Sequence, residues 1–208
     1  PKSEPVSRAP APSAPEQIAR IVLHPERDKR LLAGHLWIFS NEIRELLAEE
    51  EPKPGDLGVV TTAGGQELGV AFYHPHSLIA GRLLTRDPKE PIDQEFFKRR
   101  LAQALAYREK NYPGETAYRL CFGESDGLPG LVVDRYGSVL VLQVMSAGIE
   151  RRLGLVAAAL EELLRPTGIF LKNDQRVRQL EGLPLECRTL TGTVPERAPI
   201  TEGGLRFA

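Results

Sequence analysis

The sequence has few of the features that mark a secreted or membrane-bound protein. Its 208 residues include only two cysteines, Cys121 and Cys187, too few for a disulfide framework or a zinc cluster. No apolar run approaches the ~20 residues of a membrane span, and residues 1–5 lack the apolar core of a signal peptide. We therefore expect a cytoplasmic protein that makes no contact with a membrane.

An excess of charge of one sign is also missing. The chain has 27 Lys and Arg residues against 28 Asp and Glu residues, a formal net charge of -1. This balance excludes a protein-wide positive field that would attract nucleic acid, and it excludes an acidic solvating tail. Any surface that binds nucleic acid must therefore be local.

Three motifs of nucleotide and nucleophile chemistry are absent. The sequence has no glycine-rich loop between a strand and a helix of the doubly wound type. It also has no phosphate-binding loop and no serine in a nucleophile-elbow context. We therefore predict no cofactor cradle in these residues.

What is present divides the chain into a tail and two folded units. Residues 1–16 contain five prolines and little to bury, which predicts a disordered tail. Short strand-like segments between residues 17 and 87 predict a small β-barrel. Proline-rich residues 87–91 mark a boundary, and residues 92–208 alternate helical and strand patterns before ending as an incomplete β-hairpin. The predicted fold class is α+β, a barrel followed by a central α/β domain with β-hairpins.

The segment 119–137 is the richest in candidate functional residues. Its run Gly123-Glu124-Ser125-Asp126-Gly127-Leu128-Pro129-Gly130 predicts a tight connection whose backbone approaches a neighbour closely. Composition does not separate an elaborate turn from a loop that faces a substrate. The candidate substrate-cleft residues are Arg119, Glu124, Ser125, Asp126, Asp134 and Arg135.

Two groups of polar residues are candidates for RNA binding, because Arg, Lys and Asn contact phosphates and base edges. Surface salt bridges are the alternative interpretation of both groups. The candidates are Lys29, Arg30, His35, Arg82 and Arg86 in the first unit, and Lys172, Asn173, Arg176 and Arg178 in the second. Trp37 and Phe39 could stack on bases, although core packing is favoured for residues at alternate strand positions.

Metal and thiol chemistry are weaker interpretations. Glu124, Asp126 and Asp134 could serve a metal-dependent hydrolase, but no histidine lies near them in the sequence. His74 and His76 are interpreted as loop residues because no further ligand follows at a metal-binding spacing. Cys121 has apolar neighbours and is predicted to be a buried strand residue. We assign no metal site and no catalytic residue.

Residues 29–43 and 123–137 together resemble a known family, the class I S-adenosylmethionine-dependent large-subunit ribosomal RNA methyltransferases that make 5-methylcytosine. The resemblance extends from about Ile18 to the last residue, and the run from Gly123 to Gly130 is its most specific motif. Segments 75–79, 92–97 and 181–183 agree in the same order.

The resemblance implies a three-part enzyme with a PUA barrel that binds RNA, a central α/β domain and a Rossmann-like methyltransferase domain. It implies that this chain holds the first two parts, residues 17–87 and 92–208, and lacks the Rossmann-like domain. On that basis we expect no cofactor-binding residue here, and S-adenosylmethionine binding by the full-length relative but not by this chain alone.

The expected function is to bind 23S ribosomal RNA and orient a cytosine for methylation at C5. In the complete enzyme a cysteine thiolate would attack C6 of a cytosine taken out of its stack. The alternative is a free-standing PUA-containing RNA-binding or adaptor protein without enzymatic activity. The expected partner is ribosomal RNA, and a homodimer is left open.

Overall fold

The computed structural model describes residues 19–202 and 205–207. The predicted tail at residues 1–16 lies outside the described residues. The two largest sheets, of six and five strands, lie one after the other along the chain.

The first sheet has six strands in the order β2-β6-β5-β4-β1-β3. All neighbouring strands are antiparallel except β1 and β4, which are parallel. A short helix α1, Lys29–Leu32, lies between β1 and β2, and a 3-10 turn at residues 40–42 joins the edge strands β2 and β3. The strands are β1 (Ala19–Leu23), β2 (Trp37–Phe39), β3 (Ile43–Leu47), β4 (Asp56–Thr61), β5 (Glu67–Tyr73) and β6 (Ile79–Thr85).

The second sheet has five strands in the order β11-β10-β9-β8-β7. Its strands are β7 (Ala117–Phe122), β8 (Leu131–Tyr136), β9 (Val139–Val144), β10 (Gly168–Asn173) and β11 (Glu186–Gly192). Helix α2 (Gln94–Asn111) precedes β7, and α3 (Ala147–Arg151) and α4 (Leu153–Leu164) lie between β9 and β10. Asp93 caps α2, since its carboxylate accepts a hydrogen bond from the Phe96 N–H at 3.0 Å.

The prediction that a Rossmann-like domain is absent from this chain is wrong. Strands β9 and β10 are parallel neighbours and are connected through α3 and α4. A parallel pair joined by a helical crossover is the β-α-β unit from which Rossmann-like folds are built. The sequence did not reveal it because no glycine-rich loop follows β9. Instead the Ser146 hydroxyl accepts a hydrogen bond from the Ile149 N–H at the start of α3.

The two sheets share one hydrophobic core. Leu57, Val70, Phe72 and Leu84 from the first sheet belong to the same buried cluster as the interior residues of the second sheet and of α2 and α4. A smaller cluster around Ile21 and other residues lies within the first sheet alone. The two predicted units therefore pack through buried apolar surface, and the boundary between residues 87 and 92 stays a prediction.

The C-terminal residues form a small two-stranded hairpin whose first strand lies near β7. Strands β12 (Ile200–Glu202) and β13 (Leu205–Phe207) pair antiparallel, with Ile200 opposite Phe207. The two last strands thus pair with each other, and the incomplete β-hairpin at the end of residues 92–208 stays a prediction. Within the described residues, no helix is long and apolar enough to cross a membrane.

Candidate nucleic-acid interface

The loop after β7 is held rigidly by Asp126. Residues 123–126 form a 3-10 turn that ends at Gly127, whose φ of 70° is in the left-handed region. The Asp126 carboxylate accepts the Phe122 N–H at 2.6 Å and two hydrogen bonds from Arg108, at 2.5 and 2.7 Å. Ser125 is exposed at the outer side of this turn. The segment is therefore a tightly bonded turn that also keeps one polar side chain, Ser125, at the surface. The two interpretations that the sequence left open, an elaborate turn and a loop that faces a substrate, do not exclude each other.

The far end of the loop is fixed by a close backbone approach. Gly130 has a φ of 82°, and a Cβ at this position would lie 2.6 Å from the side chain of Ser146. The Ser146 hydroxyl donates to the Pro129 carbonyl at 3.1 Å. Only glycine combines this conformation with this distance, so the loop is anchored to the start of α3.

Glu124 connects the loop to the first sheet. Its carboxylate accepts a hydrogen bond from the Trp37 indole N–H at 2.7 Å and lies 3.5 Å from the Arg82 guanidinium. Trp37 and Arg82 face each other on the paired strands β2 and β6. The preference for Trp37 as a core residue is wrong, because the indole is partly exposed and its N–H needs the polar partner that the loop provides.

Arg82 continues this network into the interior. Its Nη2 donates to the Glu181 carboxylate at 2.9 Å, and Glu181 is buried. Glu181 also accepts from the Ser77 hydroxyl at 3.4 Å and from the Ala147 N–H at 3.3 Å. The Nε2 of His74 lies 3.9 Å from the same carboxylate. A continuous series of hydrogen bonds and ion pairs thus runs from the exposed Trp37 through Arg82 and Glu181 to Ala147 at the start of α3.

The remaining cleft candidates are paired along strands β7 and β8. Arg119 and Asp134 lie opposite each other and share two hydrogen bonds of 2.8 and 3.1 Å. Arg135 donates to the Tyr118 hydroxyl at 2.9 Å and to the Gly137 carbonyl at 3.0 Å. Asp134 is thereby neutralised, so the structure brings no free carboxylate triad together from Glu124, Asp126 and Asp134.

The cation candidates of the first unit differ in exposure. Lys29, His35 and Arg86 are exposed, and Lys29 lies 3.3 Å from Glu26. Arg30 instead donates to Glu42 at 3.1 Å and covers the ring of Phe39 at 4.8 Å. The exposed residues remain candidates for RNA contact, whereas Arg30 is partly occupied by packing.

The candidates after β10 separate in the same way. Lys172 and Arg176 are exposed. Asn173 is buried and accepts the Val144 N–H at 2.8 Å. Arg178 is fully buried and donates to the carbonyls of Val144 and Pro184 and to Glu150. Asn173 and Arg178 cannot reach RNA, because the structure uses them to join β9, β10 and α3.

Thiol and metal chemistry find little support in the described residues. Cys121 is buried as predicted, and burial raises the pKa of its thiol to about 12, which removes the thiolate at neutral pH. Cys187 is exposed and free. Nowhere from residue 19 to 202 or from 205 to 207 do three His, Cys, Asp or Glu side chains come together as metal ligands.

A crevice of about 400 Å³ opens near the carboxyl ends of β9 and β10. Its wall includes His74, Ala147, Glu150 and Glu181. Ligands of α/β sheets bind in this position, and the volume is in the range of small-molecule sites. Both carboxylates are already paired, Glu181 with Arg82 and Glu150 with Arg178. The crevice therefore has the place and size for a cofactor, with its acidic groups engaged.

Sequence reasoning missed two residues that organise this region. In the sequence, Arg108 is one of several cations in the helical pattern that becomes α2, and Glu181 lies within segment 181–183 of the resemblance. Both act through partners distant in sequence. A spacing pattern does not reveal such contacts, although an arginine in the last turns of a helix that precedes an acidic loop is a weak signal.

Comparison with known proteins shows a PUA-like domain and a methyltransferase relationship. The PUA-like domain family matches residues 21–86. The chain is 39% identical over 191 residues to ribosomal RNA large subunit methyltransferase I from Shigella boydii, covering 90% of this chain and 48% of the relative. The protein of the same name from Escherichia coli is 40% identical over the same length. The chain thus spans about half the length of the curated relatives it matches.

Solved structures show the same fold. A candidate SAM-dependent methyltransferase from Streptococcus mutans superposes with a TM-score of 0.73 at 18% identity, covering 90% of this chain and 47% of the other. A second structure with the same score and coverage is described as a methyltransferase complexed with SAH.

These findings confirm the resemblance predicted from residues 29–43 and 123–137. They also overturn two expectations. The expectation that this chain lacks a Rossmann-like methyltransferase fold is wrong, because methyltransferase structures align with 90% of the chain. The finding against the expectation that S-adenosylmethionine does not bind to this chain alone is that one of the aligned proteins is described as a methyltransferase complexed with SAH.

Proposed function

We propose that this chain recognises RNA and orients the substrate in an S-adenosylmethionine-dependent methyltransferase of large-subunit ribosomal RNA, with C5 of a cytosine in 23S RNA as the target. The observation that carries the proposal is the contact of Glu124 with Trp37 and Arg82. This contact joins the PUA-like sheet to the rigid loop that forms the most specific part of the resemblance.

The rigid junction supports the proposal because a base must be presented in a fixed position for methyl transfer. Misplacement of a reacting group by about 1 Å can cost two orders of magnitude in rate. A PUA-like sheet that moved freely against the loop could hold RNA but not orient it. Here the shared core and the Glu124 contacts keep the two surfaces in one arrangement.

Salt-dependent RNA binding tests this function. The exposed cations Lys29, Arg86, Lys172 and Arg176 would contact roughly four phosphates, for which log K falls with log salt with a slope of about -3. Affinity for a fluorescein-labelled fragment of large-subunit ribosomal RNA should then fall about 50-fold between 50 and 200 mM salt.

Paired variants make the assay specific. Arg86→Ala should weaken RNA binding and reduce the salt slope by about 1. The exposed Lys53→Ala removes the same charge from a loop outside the candidate set and is the matched control. Equal effects of the two substitutions, or no binding of the RNA fragment by the unaltered chain, would refute the proposal.

The mass of the protein in its own cells separates this function from a free-standing adaptor. A blot with an antibody against this chain should detect a species near twice its 23.0 kDa, since the chain spans about half the length of the relatives. A species at 23.0 kDa would favour the adaptor instead.

S-adenosylmethionine is a candidate ligand of this chain, since an aligned protein is described as complexed with SAH. The crevice beside Ala147 and Glu150 is the place where we would look for it. Titration calorimetry with the cofactor measures binding directly. A heat of binding that is lost in a Glu150→Gln variant with the melting temperature of the unaltered protein would assign the ligand to this crevice, whereas no heat from the unaltered protein would remove it from this chain.

A further inference from the structure

A groove of about 460 Å³ lies between the C-terminal part of α2 and the edge strand β7. Three aromatic side chains in its wall are exposed, Tyr107 by 61%, Tyr112 by 53% and Phe122 by 51%. So much exposed aromatic surface at one place is unusual in a chain with 6% aromatic residues. It needs an explanation other than core packing.

Two of these rings are each held by an arginine that is itself bound to a carboxylate. Arg108 lies over the ring of Tyr107 at 5.3 Å and is bound by both oxygens of Asp126. Arg119 lies over the ring of Phe122 at 5.1 Å and is bound by both oxygens of Asp134. In each case a carboxylate fixes an arginine, and the arginine fixes an aromatic ring by a cation–π contact.

These two carboxylate–arginine–ring groups are also linked to each other by hydrogen bonds. Arg108 donates from Nε to the Arg119 carbonyl at 3.1 Å, and Asp126 accepts the Phe122 N–H. The hydrogen bonds to the carboxylates raise the pKa of both guanidinium groups, so both stay charged. The rings are therefore ordered before any ligand arrives, which lowers the entropy cost of binding.

The groove wall contains Arg108, Arg119 and one acidic residue, Glu115, and Arg119 is its well-exposed cation. The side chains of Asp126 and Asp134 are only 9% and 12% exposed, whereas Arg119 is 45% exposed. The negative charges thus lie under the positive ones. A ligand in the groove meets aromatic faces and a guanidinium edge, the combination that binds single-stranded nucleic acid.

We propose that this groove binds unpaired nucleotides of RNA, with bases stacked on Tyr107 and Phe122 and a phosphate beside Arg119. The inference rests on the proposed function and adds a site to it. Phe122 leads directly into the loop whose Glu124 contacts Trp37, so the groove continues the surface already described. A peptide ligand is the competing occupant, and the rigid cationic platform favours RNA over it.

Single-stranded and duplex RNA distinguish this site from phosphate binding elsewhere. The probe is a fluorescein-labelled ten-nucleotide oligoadenylate, compared with a duplex of the same length by fluorescence anisotropy. Tyr107→Ala and Phe122→Ala should each lower the affinity for the single strand roughly 5- to 150-fold. Tyr107→Phe keeps the stacking face and should bind within about twofold of the unaltered protein.

Leu180→Ala is the matched control, because Leu180 is 74% exposed and lies outside the groove. It should bind both RNAs normally. Far-UV circular dichroism and thermal unfolding show whether each variant is folded. Truncation of exposed side chains usually changes stability by less than about 0.5 kcal/mol, so the comparison is made between folded proteins.

The outcomes separate the site from the function. If the alanine variants bind oligoadenylate as well as the unaltered protein does, the proposal that the groove binds unpaired nucleotides is refuted. The same holds if the unaltered protein binds only the ribosomal RNA fragment and not oligoadenylate. In both cases the proposed function would stand. A protein that binds neither RNA would overturn the proposed function, and the inference with it. Weaker single-strand binding in both alanine variants, with duplex binding unchanged, supports the groove.

Discussion

Substitution of Arg82 by methionine tests whether the junction between the two sheets depends on a buried charge pair. Arg82 is 14% exposed and Glu181 is 5% exposed, and their side chains are 2.9 Å apart. In Arg82→Met the Glu181 carboxylate keeps only the Ser77 hydroxyl and the Ala147 N–H as donors within 3.5 Å, with His74 beyond them. Methionine preserves most of the side-chain volume, so the change removes charge rather than packing.

The magnitude follows from the burial of Glu181. Removing one partner of a buried ion pair leaves an uncompensated charge and costs about 3–5 kcal/mol. For a chain of this length each 1 kcal/mol lowers the melting temperature by about 2–4 °C. Arg82→Met should therefore lower the melting temperature by roughly 6–20 °C.

Urea unfolding is the direct assay, because the sequence has one tryptophan and Trp37 lies beside Arg82 at this junction. The double variant Arg82→Met with Glu181→Gln should be more stable than Arg82→Met alone, since it no longer buries the unpaired carboxylate. Arg20→Met is the control, because its ion pair with Glu67 is exposed on both sides. It should cost no more than about 1 kcal/mol.

Equal destabilisation by Arg82→Met and Arg20→Met would refute the argument that the buried charge holds this junction. A double variant as unstable as Arg82→Met alone would refute the assignment of the cost to Glu181. In that case the contact of Arg82 with Glu124 would have to carry the effect.

Four further predictions concern residues outside the junction. Gly148→Ala should destabilise the protein by about 1–3 kcal/mol in urea unfolding, because a Cβ there would lie 2.1 Å from the ring of Phe72. A thiol reagent at pH 8 should modify Cys187 at once and Cys121 only after unfolding, since burial raises the pKa of the Cys121 thiol from 9.0 to about 12. The same shift should lower stability as the pH rises through this range, because only the unfolded chain then loses the proton. Asp93→Ala should cost about 1 kcal/mol by loss of the α2 cap.

The elements with a regular apolar pattern were predictable from the sequence. Strands β1, β8, β9 and β10 and helix α2 lie close to where their side-chain periodicity places them. Strand β3 was not predicted, because no residue from 43 to 47 is fully buried and the strand depends on pairing with β1. The apolar pattern of residues 149–164 predicts one helix, whereas the structure has the two helices α3 and α4. The break is at Arg152, whose guanidinium turns inward to the Gly55 carbonyl at 2.9 Å.

The site was predictable only in part. The loop 123–130 stood out by composition, and its contacts with the first sheet did not. A run of cations between residues 172 and 178 predicts an exposed surface, yet Arg178 is fully buried. The carbonyls of Val144 and Pro184 and the carboxylate of Glu150, which no local pattern reveals, make that burial favourable.

The near-zero net charge therefore gives a poor measure of what this surface presents to a ligand. Composition counts Asp126, Asp134 and Glu181 as fully as it counts Arg119. The structure buries those three carboxylates and leaves Arg119 nearly half exposed. The carboxylate of Asp134 lies beneath the Arg119 guanidinium, so a phosphate in the groove approaches the arginine first, with Glu115 as the acidic residue of the wall. A chain without net positive charge can in this way present an exposed arginine at the proposed RNA site, because its acidic residues hold the arginines in place from below.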